Sequence, residues 1–199
     1  KNYDLALGLL DQFIKDNPQH PKSGQANSDR GRILLGKARL ESWQARSPGN
    51  EGSRTEFQRR AFDAISEARK IFQLARDQHE KTWKSFPPYI DIKEKPQEFE
   101  QRRLAEVRFI QAQLDMAECT YEEAQTYDKD DAQYKRRLKD AAEEFEKIHA
   151  RYRNQLGGLH ARAKQAKCFE EHDDVARALG IYGELLAQPD DSVAMIRLK

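Results

Sequence analysis

The sequence predicts an all-α chain arranged as an α-solenoid of antiparallel helix pairs with lengthened middle helices. Three observations lead there. Apolar residues recur at spacings of three and four almost from end to end, short clusters rich in Pro, Gly, Asn and Asp interrupt them, and no segment sustains strand alternation. Charged side chains make up 35% of the 199 residues, mean hydropathy is -0.98, and there are only 10 Gly and 7 Pro. That balance belongs to a water-soluble chain rich in helix formers.

The periodicity predicts helices over 3–16, 22–46, 54–85, 97–127, 131–153, 157–172, 174–188 and from 191 onward. The breaks are 17–21, 47–53, 86–96, 128–131, the Gly157-Gly158 turn and 189–191, each short enough to join antiparallel neighbours. In 54–85 one stripe runs Phe57, Ala61, Ala64, Ala68, Ile71, Ala75 and another Phe62, Ile65, Phe72, so small alanines let neighbouring helices approach closely. In 97–127 the stripes are Val107, Ile110, Leu114, Ala117, Tyr121, Ala124 and Ala105, Phe109, Ala112, Met116, Cys119. They lie on two flanks of one helix, which therefore needs neighbours on both. The remaining face, Arg108, Gln111, Asp115, Glu118 and Glu122, is expected to meet water or a ligand. In 131–153 the stripe is Tyr134, Leu138, Ala141, Phe145, Ile148, Tyr152.

The segment 157–189 resembles a tetratricopeptide (TPR) repeat. Ala166 is followed by Phe169, then Ala178-x3-Tyr182, Leu185-Leu186 and a terminating Pro189, as in the family's A-x3-F and Pro pattern with its 34-residue period. Arg162 and Gln165 stand where the family favours Trp and Leu, so the repeat is divergent. The spacing of its second helix recurs at Ala6-x3-Leu10-x2-Phe13, Ala64-x3-Ala68-x2-Ile71 and Ala141-x3-Phe145-x2-Ile148. The run from Phe13 to Pro18, followed by Ala26 and Gly31, is similar to a repeat junction in bacterial cell-envelope TPR proteins, which leans localisation toward the bacterial envelope or periplasm. The resemblance implies a single TPR-like segment over 1–199, a fragment of a longer solenoid, acting as a protein-protein interaction scaffold or peptide-binding module. The alternatives are a structural helical domain that mediates oligomerisation and an accessory domain of a larger enzyme.

Catalytic and cofactor motifs are absent. His20, His79, His149, His160 and His172 are scattered without metal-ligand spacing, and there is no Gly-rich phosphate loop, nucleophile elbow or EF-hand loop. The expectation is a chain that is no enzyme and carries no cofactor or metal. Cys119 and Cys168 have no CxxC neighbour and sit among apolar helix positions as buried thiols. The formal charge is +1 with both signs interspersed, so bulk charge gives no nucleic-acid footprint. Arg59-Arg60, Arg102-Arg103 and Lys135-Arg136-Arg137 with Lys139 sit beside acids and read as solvated faces. No run has the roughly 18 apolar residues of a membrane span.

The partner is expected to be a protein or peptide. The resemblance turns the first helix of the final pair toward a concave groove, placing His160, Ala163, Lys167, Glu170 and Glu171 along it; Lys167 is the residue suited to an acidic peptide segment. Phe86-Pro87-Pro88-Tyr89-Ile90-Asp91-Ile92 is the second candidate, either a loop folded onto its own helices or a docking arm carrying Tyr89 and Ile90.

Overall fold

The structure is a computed structural model that describes residues 2–20 and 22–188. Among these the chain forms seven α-helices packed in sequence. They are α1 Asn2–Asp16, α2 Ser23–Arg46, α3 Arg54–Lys84, α4 Pro96–Ala124, α5 Ala132–Arg151, α6 Leu156–Glu171 and α7 Val175–Leu186, with a 3-10 turn at Glu51–Ser53. The middle helices are indeed the long ones, 31 residues in α3 and 29 in α4 against 12 in α7. The helix expected from 191 onward lies outside the described residues. Two compact units emerge, residues 1–122 and 123–199.

In the first unit, polar contacts fix the helix directions. Arg30 of α2 bridges Asp11 of α1 and Glu67 of α3, while Lys37 reaches Asp4 and Glu41 lies 3.9 Å from Arg60 of α3, so α2 runs antiparallel to both neighbours. Arg69 donates to Thr120 at 3.1 Å and Trp83 stacks on Phe109 at 5.7 Å, which makes α3 and α4 antiparallel. Arg32 pairs with Asp115 and Arg39 with both Glu118 and Glu122, so α2 and α4 run parallel. Between them lies a core of Leu34, Leu35, Ala38, Ala61, Ala64, Ile65, Ala68, Phe72 and Cys119. Its alanines sit where the stripes of α3 predict a close crossing. Gly31 carries the same logic further: a Cβ there would lie 2.7 Å from the buried Phe72 ring.

One expectation is corrected in α4. Arg108 and Gln111 are exposed, but Glu122 is buried and Asp115 and Glu118 are half-buried. Those three carboxylates face α2, not open water, because Arg32 and Arg39 reach across and neutralise them. The apolar stripes hold with edges: Phe62 and Val107 are exposed although their stripes are otherwise largely covered.

In the second unit, Asp131 caps α5 by accepting the Gln133 amide at 2.7 Å, and Asp174 caps α7 by accepting that of Arg177. The whole α5 stripe of Tyr134, Leu138, Ala141, Phe145, Ile148 and Tyr152 is buried. His149 Nδ1 lies 3.0 Å from the Gly158 carbonyl, and Tyr134 bonds Glu171, so α5 and α6 are antiparallel. The turn expected at Gly157-Gly158 lies instead at 152–155, and both glycines belong to the first turn of α6. An added Cβ at Gly158 would fall 1.9 Å from the Tyr152 carbonyl oxygen, so glycine lets this turn and α6 close tightly. The α6 and α7 helices are antiparallel as well, through Arg162 to Glu184 and Tyr182 to Glu170, around Leu159, Ala166, Ile181 and Leu185. Both being antiparallel to α6, α5 and α7 run parallel to each other, and Glu184 of α7 lies 4.0 Å from His149 of α5.

Candidate functional site

The second unit contains a cavity of about 390 Å³ where the turn after α4, the start of α5 and the end of α6 converge. Lys129, Asp130, Tyr134, Lys135, Lys167, Glu170, Glu171 and Asp173 line it. Of the residues expected at a groove, Lys167, Glu170 and Glu171 are brought together here. His160 is not among the lining residues. It sits at the fifth position of α6, seven residues and therefore roughly 10 Å along the axis from Lys167. Ala163 packs on the core between α6 and α7.

Local sequence explains the clustering. Positions 167, 170 and 171 are one helical turn apart, so Lys167 Nζ reaches Glu170 at 3.1 Å and Glu171 at 3.5 Å. Each glutamate is then held from a second helix. Glu170 accepts the Tyr182 hydroxyl at 3.1 Å, and Glu171 accepts from Tyr134 at 3.1 Å and from Gln125 at 2.6 Å. The hydrogen bonds from Lys167 and then Tyr182 hold the Glu170 carboxyl below its usual range. The Lys167 ammonium is correspondingly raised, first by its bond to Glu170. Lys167 is thus an internally paired cation.

Past Glu171 the chain turns through Asp173, whose φ of 68° is left-handed, a conformation that Asp tolerates better than most side chains. Its amide donates to Glu170 and that of Asp174 to Phe169, closing the end of α6. The Asp173 carboxylate is 84% exposed and stands 3.7 Å from Lys135, beyond hydrogen-bonding distance. Sequence reasoning missed Lys129, Asp130, Tyr134, Lys135 and Asp173 as lining residues. Tyr134 was legible only as part of an apolar stripe, and Lys135 only as part of a basic run.

The second candidate divides. Ile90 is buried at 8% exposure whereas Tyr89 is 79% exposed, so consecutive residues do opposite work. Phe86 is half-buried, Pro87 and Pro88 are exposed, and Ile92 is exposed. In the loop between α3 and α4, Ile90 is covered and Tyr89 is presented outward.

His79 and His160 are held below their ordinary pKa, chiefly by burial and then by Arg108 and Lys164 respectively. Burial pushes the Cys119 thiol up to about 12, which keeps it protonated and poorly nucleophilic. Among the described residues no group of three or more His, Cys, Asp or Glu could hold a metal, and no helix is long and apolar enough to cross a membrane. No family model, curated protein or solved structure matches the chain.

Proposed function

We propose that this chain is a divergent TPR-like scaffold that binds a protein or peptide and performs no catalysis of its own. One observation carries the reading. Helices α5 and α7 run parallel with α6 antiparallel to both, and His149 and Glu184, which meet across them, are 35 residues apart. That offset is close to the family's 34-residue period. The buried alanines Ala166 and Ala178 lie where the repeat pattern wants small residues. The parallel pair α2 and α4, with α3 antiparallel to each, repeats the same arrangement with longer helices. Within each unit, such stacking lets one helix cover the apolar face that its neighbour cannot bury alone.

The cavity at the end of α6 is the proposed contact for a polar segment, with His160 as an outlying contact; Tyr89, supported by Ile90, is a separate candidate contact in the first unit. The test is a partner recovered with the purified chain and then titrated against variants. Lys167→Glu is expected to weaken binding more than it lowers the denaturant midpoint. Affinity unchanged by Lys167→Glu, and by salt, would remove the cavity from the site and leave Tyr89 as the contact.

A second reading is favoured by a different observation. Val175, Leu179 and Leu186 are 53%, 65% and 68% exposed along one face of α7, the pattern of a helix that self-associates. Light scattering over a concentration series separates the two readings. A mass that rises with concentration, and that Leu179→Glu with Leu186→Glu returns to the monomer value, supports oligomerisation.

A further inference from the structure

The charges around the cavity are three lysines and four carboxylates, and they are not equivalent; Asp130, next to Lys129 in the chain, is exposed like Asp173. Lys167 is committed to Glu170 and Glu171, and those two carboxylates also receive hydrogen bonds from Tyr182, Tyr134 and Gln125. A ligand that displaced this arrangement would have to replace bonds made from several helices at once. Lys129 and Lys135 are different. Both are exposed; Lys129 makes no ion pair among the described residues, and Lys135 has only the loose, solvated Asp173 at 3.7 Å. Both ammonium groups can be drawn to a ligand at little cost, since an exposed pair contributes about 1 kcal/mol at most. Liquid water occupies about 30 Å³ per molecule. A cavity of about 390 Å³ therefore takes in a carboxylate side chain together with several waters.

Resting on the peptide-binding reading above, we propose that this cavity selects an acidic side chain of the bound segment, with Lys129 and Lys135 as the cations that take it. Lys167 is a positioning residue that fixes Glu170 and Glu171. Asp173 is the built-in competitor, a carboxylate of the chain itself that a ligand carboxylate displaces from Lys135. The consequence is a gain of affinity on removing a charge. Asp173→Asn keeps a residue tolerant of the left-handed conformation, so the turn survives while the competing charge is lost. A site that instead took a cationic side chain would respond in the opposite direction, because Asp173 would then be one of its ligands.

The experiment titrates the full chain with a hexaglutamate peptide, a hexalysine peptide and inorganic phosphate, following backbone amide shifts at 129–135 and 167–173. Hexaglutamate is expected to move these resonances. Asp173→Asn is expected to tighten it roughly two- to fivefold, the range an exposed pair spans, and Lys129→Gln with Lys135→Gln to weaken it by roughly the same factor for each lysine. Weaker binding of hexaglutamate by Asp173→Asn, or binding unchanged in the double lysine variant, would overturn the assignment. So would phosphate shifts without hexaglutamate shifts, which would mean a simple anion site, or no shifts from any probe. Hexalysine moving the same resonances would overturn the acidic specificity while leaving the peptide-binding reading intact. That reading fails by its own test, when a recovered partner binds independently of the cavity.

Discussion

At the scale of single residues, backbone proximity matters more than side-chain chemistry at Gly158. Sequence marks it as a turn glycine, but its φ is not left-handed; the space for a Cβ is what is missing. Gly158→Ala is expected to force the chain apart beside Tyr152 and to destabilise by about 1–3 kcal/mol, the usual cost of overpacking. A urea midpoint equal to that of the parent would show that the turn yields freely. The two depressed histidines make a second residue-scale expectation. Because the folded chain holds His79 and His160 below their ordinary value of 6.5, the unfolded chain takes up protons first as pH falls. Stability from these groups is present above about pH 6.5 and declines below it, until the folded-state values are passed. Thermal midpoints at pH 7.5 and pH 5 should differ in that direction, and His79→Gln with His160→Gln should narrow the difference. A gap that the double variant leaves unaltered would assign the acid sensitivity to other groups.

At the scale of the element, the helices themselves were legible because they depend on local pattern. All seven begin and end within about three residues of the ranges that periodicity gives, and the Ala-rich stripe of α3 and the aromatic stripe of α5 are buried as their spacing requires. What was not legible was the polar half. Arg39 stands 79 and 83 positions from Glu118 and Glu122, so no local window shows that α4 turns its acids onto α2. The cavity was hidden for the same reason, since Tyr134, Lys135 and Glu171 meet only once α5 and α6 are in register. The α6–α7 crossing gives the element-scale test. Ala166 and Ala178 are essentially fully buried, so Ala178→Leu is expected to cost about 1–3 kcal/mol by overpacking. Tyr182 is only half-buried, with its hydroxyl on Glu170. Truncating a fully buried aromatic costs about 3–5 kcal/mol, and Tyr182→Ala should therefore fall below that range. Equal midpoints for both variants and the parent would displace the crossing from these residues.

At the scale of the whole molecule, the division at residue 122 falls inside α4, and each unit has an apolar cluster of its own. The repeat architecture proposed above would hold its stability as local terms plus interfaces, which would allow one portion to open while another stays protected. Phe72 and Phe145 are fitting probes, one in each unit and neither more than 1% exposed. Replacing either with Ala is expected to cost about 3–5 kcal/mol where it sits. The informative measurement is native-state hydrogen exchange, residue by residue. Phe145→Ala should lower protection in α5, α6 and α7 while α2 and α3 keep theirs, and Phe72→Ala should do the reverse. Protection lost evenly along the chain in both variants would mean that the two clusters unfold as one cooperative body. In that case the cavity at the end of α6 could not loosen to admit a ligand without drawing on the stability of α1 to α3.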